Sequence, residues 1–340
     1  MTTEPSTPDQ TAPTAGSRVL VVGMVALITV GAFEALAVST AMPVIAEALD
    51  GLGLYAAAFS LTLATSVIGM VVAGALADRA RPVQPLLVGV VAFALGLLAA
   101  GLATDMTVLL VGRALQGLGS GMFIVALYVI VARAFPAERR AKVLAAFSAA
   151  WVVPSLVGPM ISGFIVQTFG WRWVFLAVVV IAVPAAVIIV MTTWRVPAPD
   201  MTADGALTGP LPWRRFGLAT LAGAGVAAMS LGAATDGAAR TALVAGGAIV
   251  AAVAGTPLLP RGTLRAARGL PTVIALRGIV AAAFFATEVF LPLILQTERH
   301  MSPASAGTIL TVGAVTWATG SAVRGRGHWT PTTYLRLGST

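Results

Sequence analysis

Apolar residues run through this chain in long unbroken stretches, with neither the alternation of a strand nor the narrow stripe of a soluble helix. Ten stretches reach the roughly 17–25 residues that a helix needs to cross a bilayer. They cover 19–43, 54–77, 83–103, 106–132, 143–169, 173–193, 216–234, 241–259, 271–296 and 302–323. Within hydrocarbon a lipid-facing backbone has to satisfy its own hydrogen bonds, so each stretch predicts a helix. The fold class expected is all-α, a polytopic membrane protein of about ten transmembrane helices. A mean hydropathy of +0.94 and a charged fraction of 10% agree with this, since soluble proteins carry about 25% charged residues.

The basic residues test the count. All but one of the 21 are arginines, and they alternate from loop to loop. With a cytoplasmic N-terminus, sixteen fall in inner loops and at inner ends: Arg18; Arg79 and Arg81; Arg133, Arg139, Arg140 and Lys142; Arg195, Arg214 and Arg215; Arg261, Arg265 and Arg268; Arg324, Arg326 and Arg336. Only Arg172, Arg240 and Arg299 fall outside, while Arg113 and Arg277 lie within spans. Positive charge retained on the cytoplasmic side explains this pattern, and it predicts a multi-pass protein of the plasma (inner) membrane. The +8 net charge is spread over short loops, so it reads as topology and not as a nucleic-acid surface. Residues 1–18 lack the basic start of a signal peptide and are expected to form a disordered cytoplasmic tail.

The loop 194–215, with Pro197, Pro199, Pro210 and Pro212, reads as a cytoplasmic linker after a six-helix bundle, 19–193. A weak internal repeat pairs the segment around Pro43 with that around Pro292. On that register 216–259 is an inserted two-helix hairpin, and 260–322 holds the first two helices of a second bundle. Six helices, a hairpin and six more would make fourteen, against the ten found here. After Ser321 the sequence turns polar and aperiodic, and 323–340 is expected to be a non-homologous tail left by a frameshift or premature end, with a natural basic tail as the alternative.

Candidate chemistry is sparse. Cysteine is absent, His300 and His328 belong to no ligand spacing, and no nucleophile elbow or phosphate loop occurs. Neither an enzyme, a metal nor a cofactor is expected; an intramembrane transferase would need a catalytic cluster that the chain does not offer. Charges inside spans carry more information. Arg113 sits about 10 Å inside the fourth stretch and Glu34 about 14 Å inside the first, at 1.5 Å per residue. A central arginine costs roughly 2.5–3.5 kcal/mol to insert, so it needs a partner or an aqueous cavity. At similar depth the two side chains are expected to pair, either as a proton-exchanging site or as a structural ion pair. Glu288 is a second intramembrane acid, nearly on one face with Arg277 eleven residues earlier, and is read as a cavity residue for protons or cationic substrate, or as an acid near the outer interface. Asp105 and Asp236 fall in outer loops.

Four motifs remain: "GALADRARP" with Gly74, Asp78 and Arg79; "RALQGLGSG" with Arg113, Gln116, Gly117, Gly119 and Gly121; "PSLVGPMISGF" with Gly158, Pro159, Ser162 and Gly163; and "WRWVF" at 171–175. Together they resemble the major facilitator superfamily, and within it the fourteen-helix drug–proton antiporter branch, over 19–321. The resemblance implies two bundles that rock about a central site in alternating access. It assigns the first motif to an inter-bundle loop that latches through an acid at a helix end, although Arg81, Pro82 and Val83 replace the family's later glycine and basic pair. It gives Arg113 and Gln116 a part in proton coupling, and it makes the motif around Pro159 a mark of exporters, here with Ser162 in place of a glycine and Pro154 at a further glycine position. The implied function is proton-coupled export of hydrophobic or amphipathic small molecules, with protons and the lipid bilayer as its other partners; the alternative is a truncated, non-transporting fragment. The "WRWVF" string is expected in an aromatic belt at the outer interface.

Overall fold

The structure, a computed structural model, describes residues 15–79, 81–193 and 213–326. Its long elements are α1 (Ala15–Ala48), α2 (Tyr55–Ala77), α3 (Val83–Gly101), α4 (Met106–Ala134), α5 (Ala137–Ala149), α6 (Val152–Phe169), α7 (Arg172–Thr193), α8 (Trp213–Ala233), α9 (Gly237–Gly255), α10 (Leu270–Thr297) and α11 (Pro303–Arg326). Among the described residues there is no strand, and nine helical stretches are long and apolar enough to cross a membrane. One of the nine joins α5 to α6, and the tenth expected span, α11, is helical but lies outside the nine.

Two boundaries differ from the sequence reading at a residue with a physical reason, and two helix ends run into the expected tails. The first span does not stop at Pro43: α1 runs through it to Ala48. Proline removes one backbone bond, to the Ser39 carbonyl, but the bend can be absorbed where neighbouring carbonyls find other donors. Gln296 supplies one, its Nε2 donating to the Thr40 carbonyl at 3.0 Å. The fifth span is not continuous, since the chain turns at Ala150 and Trp151 between α5 and α6. Pro154 lacks the N–H that would have bonded the Ala150 carbonyl, so the helix restarts there. Finally, α1 begins at Ala15 and α11 runs to Arg326, while the linker 194–212 and residues 327–340 lie outside the described residues.

The core sits among the first seven helices. α4 packs between α2 and α3, α1 packs against α6 and α7, and α3 closes on α7. The buried face of α1 carries Met24, Leu27, Val38, Met42 and Ile45, which join Leu97, Leu109 and Phe123 in one cluster. The α8–α9 hairpin docks on α2, where the Ser60 and Ser230 hydroxyls meet at 2.6 Å, and α11 lies along α6. α9 and α10 are the least buried of the nine spans.

In "WRWVF", Trp173 is exposed, as a belt residue would be, whereas Trp171 is buried beneath the Arg172 guanidinium. Arg172 also donates to the Ala103 carbonyl at 3.1 Å, so this pair closes the α3–α7 end instead of facing lipid. At the start of α4, Asp105 caps the helix by accepting the Val108 and Thr107 N–H groups at 3.0 and 2.9 Å. Those bonds, that of Val108 first, hold its carboxyl below the usual carboxylate range. A depressed folded value means the cap stabilises above the unfolded pKa and is lost as pH falls through the folded one. Asp105→Ala should therefore lower the melting temperature by a few degrees between pH 5 and 8, and by less in stronger acid, as a thermal melt series will show.

Candidate functional site: a buried charge network on three helices

Glycines bring the site together. On α4, Gly117 and Gly121 face α2, and a Cβ at either would reach 2.8 Å from the carbonyl carbon of Thr62 or Ser66 respectively. On the other side Gly112 and Gly119 meet α3, with Ala100 N at 2.7 Å and Phe93 Cα at 2.8 Å of such a Cβ. Small residues at these four positions let backbones touch, which is the main source of helix association in lipid. The result aims the remaining face of α4, Arg113 and Gln116, at α1 and α2.

Arg113 is buried, as are Glu34 and Gln116. Its Nη1 donates to Glu34 Oε1 on α1 and to Gln116 Oε1 on its own helix, and its Nε donates to the Ala58 carbonyl on α2 at 3.1 Å. Thr62 Oγ1 returns along α2 to the Ala58 carbonyl at 2.9 Å and crosses to the Arg113 carbonyl at 3.1 Å. Four side chains and two carbonyls thus bind α1, α2 and α4 around one ion pair. Gln116 Nε2 and Thr40 Oγ1 are buried with no hydrogen-bond partner among the described residues. A buried unpaired donor costs about 1–3 kcal/mol, so both groups favour a state in which they are satisfied.

The expected pairing of Glu34 with Arg113 and Gln116 is present; Glu288 does not join it. Glu288 is half-buried on α10 and makes no hydrogen bond or ion pair with the three, and Arg277 is exposed. Around Pro159 the motif forms a seam. Gly158 touches Phe33 of α1, and buried Ser162 donates to the Ala37 carbonyl of α1 at 2.6 Å. On the other side Gly163 faces α11, where a Cβ would come to 2.5 Å of Ala304 Cα, and the Pro159 carbonyl abuts Gly307. The loop motif behaves otherwise. Asp78 is exposed at the end of α2, a Cβ at Gly74 would meet nothing within 4 Å, and Arg79 donates back to the Ala75 carbonyl. That helix end is tied to α4 of the same group by Arg133, which donates to the Ala77 carbonyl at 2.8 Å.

Sequence reasoning missed four participants. Ala58 acts through its carbonyl and leaves no trace in side-chain chemistry. Thr62, Tyr55 and Gln296 were visible as polar residues within or beside spans. At the arginine-poor end, Tyr55 Oη donates to the Val289 carbonyl at 2.7 Å, and Gln296 holds the Thr40 carbonyl as described. These two acceptors stand three residues before Pro292 and Pro43, the prolines on which the expected repeat is aligned. Each proline-containing helix therefore offers a carbonyl to a side chain across the α1–α2 and α10 boundary.

A family profile described as the Major Facilitator Superfamily matches residues 20–338. The chain belongs to the Major Facilitator Superfamily. Among curated relatives, the multidrug efflux pump SdrM of Staphylococcus aureus (strain N315) is 27% identical over 187 residues, 55% of this chain and 42% of that protein. The multidrug transporter protein MdtP of Bacillus subtilis (strain 168) is 32% identical over 156 residues, covering 46% and 29%. The acurin A biosynthesis cluster MFS-type transporter of Aspergillus aculeatus is 26% identical over 310 residues, covering 87% and 55%. The chain thus spans about half or less of the length of these relatives. A crystal structure of the peptide transporter POT, in mutant form with alafosfalin, superposes with a TM-score of 0.59 at 16% identity over 91% of this chain and 69% of that one, which places the fold. A membrane transporter of this superfamily is not an enzyme.

Proposed function

We propose that this protein exports hydrophobic or amphipathic small molecules, including cationic ones, across the plasma membrane in exchange for protons, with its N-terminus in the cytoplasm. The observation that carries the reading is the buried Glu34–Arg113–Gln116 network at the meeting of α1, α2 and α4. A buried pair contributes little net stability compared with apolar packing, so its presence argues for a role beyond holding helices. Protonation of Glu34 would release Arg113 and loosen three helices together. The name of one relative, a multidrug efflux pump, supports the direction of transport, and the multidrug names of two support the substrate class. Membership of a fourteen-helix antiporter branch is part of the same proposal, as is a contribution of Glu288 to the path of protons or cationic substrate.

The test is reconstitution in liposomes with an imposed pH gradient and a fluorescent lipophilic cation. Gradient-dependent movement of the dye, matched by proton flux, is the expected result; dye movement without proton flux would overturn the coupling. A second reading, that this chain transports nothing by itself, is favoured by the low burial of α9 and α10. Neither flux above empty liposomes would establish it.

Alternating access also gives the Tyr55 and Gln296 bonds a task, to hold the arginine-poor end closed. Tyr55→Phe with Gln296→Ala removes two hydrogen bonds, together about 2 kcal/mol or roughly 30-fold in the open-to-closed ratio. The chain has no cysteine, so Leu293→Cys, on the α10 face packed against the core, supplies a single reporter. Its reaction with an impermeant maleimide should quicken by up to that factor; an unchanged rate would remove these bonds from the gate.

A further inference from the structure

We propose that the arginine-rich end of the α8–α9 hairpin is a binding site for the phosphate headgroup of an anionic phospholipid. A cleft of about 740 Å³ opens there between the start of α8 and the turn that follows α9. Arg214 and Arg215 form one wall, Arg261 and Arg265 the other, and among the described residues no acidic one lines it. Among the described residues none of these four arginines makes an ion pair or a side-chain hydrogen bond. Four cations lining one cleft, with no counter-charge among the described residues, repel one another, and an anion between them removes that repulsion.

Retention of positive charge on one side of a membrane explains arginines at this end, but it does not explain a shaped cleft. The turn is a built structure. Gly262, Ala266 and Gly269 adopt positive φ, and a non-glycine residue such as Ala266 holds φ 46° only where its surroundings impose it. Those surroundings are visible: Thr263 Oγ1 donates to the Pro260 carbonyl at 2.7 Å, and Thr272 Oγ1 to the Ala266 and Ala267 carbonyls at 2.7 and 2.6 Å. Arg261 and Arg265 are therefore presented from a fixed frame. The opposite wall is the first turn of a 21-residue helix, whose dipole adds positive potential to Arg214 and Arg215.

The flanking residues select a lipid over a soluble anion. Trp213 and Leu264 are 65% and 74% exposed, beside the arginines, where a helix leaves the bilayer. An amphipathic ring and an apolar side chain in that position sit among headgroups and acyl chains, while the guanidinium groups take the phosphate. The site lies apart from the Glu34–Arg113 network. Its consequence is mechanical: α8 contacts α2 through Ser60, Ser230 and Gly223, so a lipid clamped at the hairpin's end steadies the helix that carries Ala58 and Thr62.

Native mass spectrometry of the purified full chain, with phosphatidylglycerol or phosphatidylcholine added, reads the occupancy directly. The protein should retain phosphatidylglycerol in preference to phosphatidylcholine. Arg261→Gln with Arg265→Gln should weaken retention about 30-fold, the loss expected for two arginines near a lipid surface. Arg81→Gln with Lys142→Gln removes the same charge at the same end, away from the cleft, and should stay within about threefold. If the turn variant fails to fold, Arg214→Gln with Arg215→Gln, on the other wall, carries the same expectation. Equal loss in the cleft and control variants would reduce the effect to general surface charge and overturn the site. Displacement of the lipid by millimolar inorganic phosphate would assign the cleft to a small soluble anion instead.

Discussion

Arg113→Ala should abolish proton-driven export, by more than about 100-fold, while the protein still reaches the membrane. Removing the guanidinium leaves Glu34 buried without its counter-charge, a loss of about 3–5 kcal/mol if the carboxylate stays ionised. Without the guanidinium no charge pair links α1 to α2 and α4, so proton exchange at Glu34 cannot be passed on to the other helices. Glu34→Gln reaches the same end differently. The amide keeps an oxygen for Arg113 Nη1 but holds no exchangeable charge, so substrate exchange down its own gradient should persist while uphill, pH-driven movement disappears. Arg113→Lys should not rescue, because one ammonium cannot reproduce the Nε bond to the Ala58 carbonyl together with the Nη1 bonds to Glu34 and Gln116. The double variant Glu34→Gln, Arg113→Met separates structure from function: with both charges gone, thermal stability should recover toward that of the parent, and coupling should not. A purely structural ion pair makes the opposite prediction, that restored stability restores transport. Parallel melts and gradient-driven uptake in liposomes decide between them.

Much of this arrangement was legible before any coordinates. Runs of apolar residues mark spans because lipid leaves the backbone few alternatives, and the arginine alternation checks the count independently. The depth of Glu34 and Arg113 could be matched for a similar reason: helix rise is constant, so position in sequence converts to position across the membrane. What was not legible depends on partners distant in sequence. Pro43 looked like an end because a proline in isolation breaks a helix; the helix continues to Ala48 where Gln296, more than 250 residues on, answers a carbonyl beside the kink. Ala58 contributes a carbonyl, which every residue has. Ser230 bonds its own helix at the Val226 carbonyl as well as Ser60, so from sequence its interhelical role could not be told from local back-bonding. The glycines of "RALQGLGSG" announced close packing but not its direction, and only the assembled bundle shows Gly117 and Gly121 turned to α2, Gly112 and Gly119 to α3.

Those glycines and the pair on the α6–α11 seam should respond differently to the same substitution. Gly121→Val places a branched side chain against the Ser66 backbone inside the most tightly packed part of the first helix group. Backbone cannot yield there as a flexible side chain would, so overpacking of at least about 1–3 kcal/mol falls on α2 and α4 together and displaces Ala58 from Arg113. Folded protein in the membrane should fall sharply, and export with it. Gly307→Val acts at one contact, between α11 and the Pro159 carbonyl of α6. The Glu34–Arg113 network is made by α1, α2 and α4 and should survive. Membrane abundance should then change little, while export drops by more than about tenfold if, as the proposed alternating access requires, α6 and α11 must close on each other. Gly163→Val, on the other side of that seam, should match it. Quantifying membrane-resident protein, resistance to limited proteolysis and efflux in the same cells separates the outcomes. Full export by Gly307→Val would remove the α6–α11 contact from the transport cycle, and normal abundance of Gly121→Val would show that α2 and α4 tolerate separation.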